Sequence, residues 1–191
     1  MIVYQATKGK FLDDVLTNNI ENIILSLFKK KNISTQQTEI NSWKNSLQYM
    51  NNILYDPQIP EDCGIAIEFK IPATNKRIDF IITGQNQENK DYAVLIELKQ
   101  WSSSELTATD GIVLTYLNKQ LVKHTHPSYQ VWSYAALLQN YNETVYKQDI
   151  GLKPCAYLHN YPNDGIINNP FYGKHIENAP LFLKTDALKL Q

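Results

Sequence analysis

Between Gly64 and Lys99 the chain carries three successive segments built for strands, and they narrow its possible folds more than anything else in it. Side chains alternate across a strand, so residues i and i+2 share a face. Gly64–Ile71 puts Ile65, Ile67, Phe69 and Ile71 on one face and Ala66, Glu68 and Lys70 on the other. Ile78, Phe80 and Ile82 oppose Arg77 and Asp79 on the second segment. On the third, Val94, Ile96 and Leu98 oppose Leu95, Glu97 and Lys99. The plainest reading is an antiparallel meander with a solvated outer face. The competing reading starts from the placement of the acids. If the second and third strands are neighbours, Asp79 joins Glu97 and Lys99. Two carboxylates and an ammonium at one spot suit a site that holds a hard cation and attacks a phosphodiester.

The rest of the chain supplies the frame. Phe11–Phe28 and Thr38–Leu54 carry apolar residues at helical spacing, and residues 56–64 read as a loop from their Pro, Asp and Gly. Ser102–Asp110 is polar and reads as a loop, and Ile112–Leu117 as a further strand. A helix runs from about His126 to Tyr141, followed by a buried strand over Pro154–His159. A strand, a crossover helix and another strand predict parallel pairing with a right-handed crossover. Residues 161–179 read as irregular, Leu181–Leu183 as a short strand, and Thr185–Leu190 as the start of a helix.

Asp79, followed after a gap by Glu97-Leu98-Lys99, matches the core signature of the PD-(D/E)XK nuclease superfamily. Gln130 and Tyr134, spaced i and i+4 on the following helix, resemble the Q-x-x-x-Y motif of its RecB-like branch. The opening Met1–Thr7, the Ser42-Trp43 helix, Arg77–Gly84 and Ile96–Trp101 look like one group within it. Those are bacterial nuclease modules that stand in front of a Schlafen-group-3-type helicase/ATPase domain.

The resemblance implies an α/β domain with a restriction-endonuclease-like core, a mixed central β-sheet flanked by helices, spanning residues 1–191. It implies a front module of a longer protein, or a descendant of one. Asp79, Glu97 and the main-chain carbonyl of Leu98 are then expected to hold Mg²⁺ or Mn²⁺. Lys99, Gln130 and Tyr134 complete the catalytic set. The further acid of the family is Glu68 or Glu39, with Glu68 expected nearer the site. The implied activity is metal-dependent phosphodiester hydrolysis, on DNA ahead of RNA. The alternative is a catalytically silent nuclease-fold module that binds nucleic acid or an attached ATPase.

Composition bounds these readings. A chain of 191 residues with 43% hydrophobic residues can bury one real core. Its two cysteines, Cys63 and Cys155, suggest neither a disulfide framework nor a thiolate metal site. No signal peptide, membrane-length apolar run or phosphate-binding GxxxxGK[ST] loop occurs, so a cytoplasmic location without a membrane partner is expected. A net charge of −1 restricts nucleic-acid contact to a local patch. Candidate phosphate contacts are Arg77, the only arginine, and the stretch Lys119, Lys123, His124 and His126. Arg77 serves equally well in a structural ion pair. His124 and His126 lack a third ligand for zinc, and Trp101 reads as a packing residue. Ser102–Ser104 lack the base and glycines of a serine hydrolase.

Overall fold

Local chemistry sets where the first elements begin and end. The structure is a computed structural model that describes residues 2–31, 37–117 and 120–191; among these the side chains of residues 37–39 and 42 lie outside the described set. The Glu39 side chain and Lys119 are therefore outside the described set. Tyr4–Thr7 (β1) leads into Lys8–Leu16 (α1), whose N-cap Thr7 accepts from the Lys10 backbone N–H. Ile20–Lys30 (α2) follows. The single helix expected over Phe11–Phe28 is thus two, broken where Asn18 adopts φ 52°. Asparagine tolerates that left-handed conformation better than most residues. Gln37–Leu54 (α3) buries Trp43, Leu47, Met50 and Leu54 as one stripe.

Three strands come next, Gly64–Lys70 (β2), Arg77–Gln85 (β3) and Asp91–Lys99 (β4). Ser104–Glu105 (β5), Ile112–Leu117 (β6) and Gln120–Thr125 (β7) form a small second sheet. Pro127–Tyr141 (α4), with proline at its start, and Glu143–Lys147 (α5) lead to Gly151–Leu158 (β8). Gly173–Asn178 (α6), Leu181–Leu183 (β9) and Ala187–Leu190 (α7) close the chain.

The main sheet has the order β1-β2-β3-β4-β8-β9. β1 to β4 are antiparallel neighbours, whereas β8 runs parallel to both β4 and β9. The architecture is therefore a mixed α/β sheet with helices on both faces. α1, α2 and α3 cover one face over Ile65, Ile67, Phe80 and Ile96. α4 covers the other over Ala66, Ile81, Ala93 and Leu95. The second face is thus core and not a solvated surface.

Alternation holds along β2 only as far as Glu68, which adopts φ 55° within the strand. Ile65 and Ile67 pack under α1–α3, yet Phe69 and Ile71 pack on the α4 side. β3 switches at the same level, with Ile78 on the α4 side and Phe80 under α1–α3. The expected single face of Ile65, Ile67, Phe69 and Ile71 is corrected accordingly. A left-handed residue in a strand rotates everything beyond it, and a nonglycine residue in that conformation is uncommon.

Candidate active site

The site forms where β3 and β4 part. Their ladder runs from Gln85↔Asp91 to Phe80↔Ile96 and stops there. One step further the register sets Asp79 against Glu97. Instead of a ladder bond, the Leu98 N–H donates to Asp79 Oδ2 at 2.8 Å. The carboxylate thus supplies the acceptor that the departing strand leaves missing. Parting the strands opens a cleft of about 330 Å³ between α3 and β6, lined by Glu68, Arg77, Asp79, Leu98 and Lys99 among others.

Lys99 and Gln130 meet at Glu97, which is 1% exposed, with Tyr134 behind Gln130. Lys99 Nζ lies 2.6 Å from Glu97 Oε1. Gln130 Nε2 donates to the same oxygen at 2.6 Å and lies 3.1 Å from the Tyr134 hydroxyl. The i, i+4 pair on α4 therefore faces the strand motif as its spacing predicts. Glu97 Oε2 is buried with no hydrogen-bond partner among the described residues.

Electrostatics follow from burial and crowding. Burial, then the nearby Asp79 charge, raise the Glu97 pKa to about 8, against the pull of Lys99. Burial also lifts Asp79 above the usual carboxylate range, although Lys99, the Leu98 N–H and Arg77 oppose it. Burial works to lower the Lys99 pKa. Glu97 and Asp79 outweigh it, so the ammonium is held above its ordinary value. Burial and the Glu97 charge raise Tyr134.

Two carboxylates that resist ionising together, one with an orphaned buried oxygen, are a donor set that a divalent cation would satisfy. No group of three or more His, Cys, Asp or Glu among the described residues is arranged to hold a metal; the further donor that the resemblance implies is the Leu98 carbonyl. Glu68 belongs to a different contact. It accepts from Trp43 Nε1 at 2.9 Å and pairs with Arg77 at 3.1 Å, toward α3. The turn of the strand at Glu68 directs it there. Its charge still reaches Glu97 as the weakest of the causes that raise it.

The remaining candidates part ways. Arg77 lines the cleft, its guanidinium 3.1 Å from Glu68 and 5.7 Å from the Phe28 ring centre. Lys123 is exposed on β7 opposite Leu114. His126 is fully buried, 2.9 Å from the Ile167 carbonyl oxygen and stacked on Tyr172, so a substrate contact for it is corrected to a structural role. Trp101 is buried with its ring edge on His124, in keeping with packing.

Sequence reasoning passed over three polar residues beside the cleft. Ser46 and Gln100 line it; His159 lies just behind Ser46. Ser46 Oγ lies 3.1 Å from His159 Nε2 and accepts from Gln100 Nε2 at 3.4 Å. His159 is fully buried against the Tyr49 ring, and burial lowers its pKa. The available signal was Ser46, a small polar residue inside the apolar stripe of α3.

No family model, curated protein or solved structure matches this chain. Among the described residues no helix is long and apolar enough to cross a membrane.

Proposed function

We propose that the chain is a metal-dependent nuclease of the PD-(D/E)XK kind, with a restriction-endonuclease-like core, cutting phosphodiester bonds in DNA ahead of RNA in the cytoplasm. What carries the reading is the meeting of Lys99 and Gln130 on Glu97, with Tyr134 behind Gln130 and Asp79 close by, at the parting of β3 and β4. Those residues come from three separate elements, and a structural ion pair does not require all of them.

Asp79, Glu97 and the Leu98 carbonyl would hold Mg²⁺ or Mn²⁺, which when bound supplies an activated water and offsets charge on the phosphate. The chain's own groups do the rest. Lys99, charged and 17% exposed, faces the cleft beside Glu97 and stabilises negative charge developing on the phosphate. Gln130 holds the Glu97 carboxyl in one orientation through Oε1, which leaves Oε2 on the side of the carboxyl that neither Gln130 nor Lys99 holds. Tyr134 steadies the Gln130 amide from the same helix face.

The silent-module reading keeps one supporting observation: Glu97 Oε1 is already committed to Lys99 and Gln130. Digestion of labelled DNA and RNA with Mg²⁺, Mn²⁺ or EDTA decides between them. Metal-dependent cutting that Glu97→Gln abolishes supports the nuclease. No cutting under any condition, with Mg²⁺ binding also absent by calorimetry, refutes it.

A further inference from the structure

We propose that the cleft takes one strand at a time: the substrate is single-stranded nucleic acid, and the β5–β7 sheet is a wall that keeps a duplex out. This rests on the nuclease reading above.

The reactive groups lie deep. Asp79 and Lys99 line the cleft and Glu97, 1% exposed, lies behind Lys99, so a phosphate meets the first two by entering the cleft. The cleft holds about 330 Å³, the low end of the range for small-molecule sites and room for roughly one nucleotide. Ser46 and Leu47 of α3 bound it, and Leu117 of β6 with Trp101 closes it. A duplex brings a paired partner with each strand, a bulk greater than the roughly one nucleotide the cleft holds.

The wall is anchored at its base. Tyr172 donates to the Ile112 carbonyl at 2.8 Å, Ser104 bonds the Tyr161 hydroxyl, and the His126 N–H donates to the Gly111 carbonyl at 2.8 Å. Val113 beneath it is fully buried. This sheet lies in the chain between Lys99 and Gln130, so its attachment is tied to both halves of the site.

Charge points the same way. Duplex binders spread many phosphate contacts over a basic face. Here the net charge is −1, and among the described residues the two cations lining the cleft are paired, Arg77 with Glu68 and Lys99 with Glu97. Such a cleft grips a short segment and not a long rod.

The experiment uses the full chain carrying Trp132→Phe, which leaves Trp43 and Trp101, both in the cleft, as the only tryptophans. One mixed-sequence oligonucleotide is supplied as a single strand and as a covalently closed duplex dumbbell. Fluorescence quenching is read in Ca²⁺ and cleavage in Mg²⁺ or Mn²⁺. The single strand is expected to quench and the dumbbell not. Cutting should favour the single strand on the order of a hundredfold, the penalty for unpairing and unstacking a step. Leu117→Trp, which narrows the cleft away from the reactive groups, should slow single-strand cutting while Mg²⁺ affinity stays unchanged. Dumbbell cutting within a few-fold of the single strand overturns this inference and leaves the nuclease reading standing. Selective single-strand quenching without any cutting does the reverse. No quenching and no cutting by either substrate overturns both.

Discussion

His126 makes the fold acid-sensitive in a way that can be measured without knowing the substrate. Its ring is fully buried, stacked 4.6 Å from Tyr172 and 6.5 Å from His175, with Nε2 on the Ile167 carbonyl oxygen. Nδ1 has no partner among the described residues, so a second ring proton would be buried unsatisfied. Burial lowers the pKa from 6.5 to about 4, with the Ile167 carbonyl opposing and His175 assisting. Other groups face this cluster: His175 bonds Asp110, and Tyr129 packs on His175.

A depressed folded pKa on a base means the neutral form is favoured by folding. The stability is fully present above pH 6.5 and is lost as pH falls through the folded value of about 4. A difference of about 2.5 units corresponds to about 3 kcal/mol, most of it gone by pH 4. His126→Gln keeps a donor for Ile167 and cannot gain a proton. Urea unfolding at steps from pH 7 to pH 4 should show the variant losing about 3 kcal/mol less than the parent over that range. Parallel stability curves for parent and variant would refute the reasoning.

Three further outcomes are expected. Glu97→Gln and Lys99→Ala should both lower cleavage by about two to three orders of magnitude; calorimetry should find Mg²⁺ affinity reduced only in the first. Phe80→Ala removes a fully buried ring beneath α1 and should cost about 3–5 kcal/mol in urea unfolding. Gly151→Ala brings a Cβ within 2.3 Å of the Tyr92 ring and should cost about 1–3 kcal/mol, seen as a lowered urea midpoint.

β2, β3 and β4 and the facing of Gln130 toward Glu97 were legible because alternation and the i, i+4 spacing carry them, and the parallel pairing of β8 with β4 because a crossover helix joins them. The four residues of β1 gave no such signal. Glu68 was not legible either. Its φ is 55°, and nothing in Ile67-Glu68-Phe69 announces it, so alternation misassigned Phe69 and Ile71 beyond it. The second sheet was half visible: Ile112–Leu117 reads as a strand. Its partners hid because Ser104–Glu105 is only two residues long and Gln120–Thr125 is polar on an exposed edge. His126 looked like a contact residue because charge patterning cannot tell a solvated histidine from one stacked under a tyrosine.

Asp79 has two employments in this fold. The carboxylate proposed to hold a cation is also the acceptor that completes the backbone of β4 at Leu98. Removing it with Asp79→Ala strands a main-chain N–H as well as a charge, so lost activity and a loosened strand would arrive together. Asp79→Asn keeps an oxygen for that N–H and removes only the charge. The Leu98 amide is consequently a built-in reporter: its hydrogen exchange follows whether the Asp79 carboxylate is serving the strand or something else.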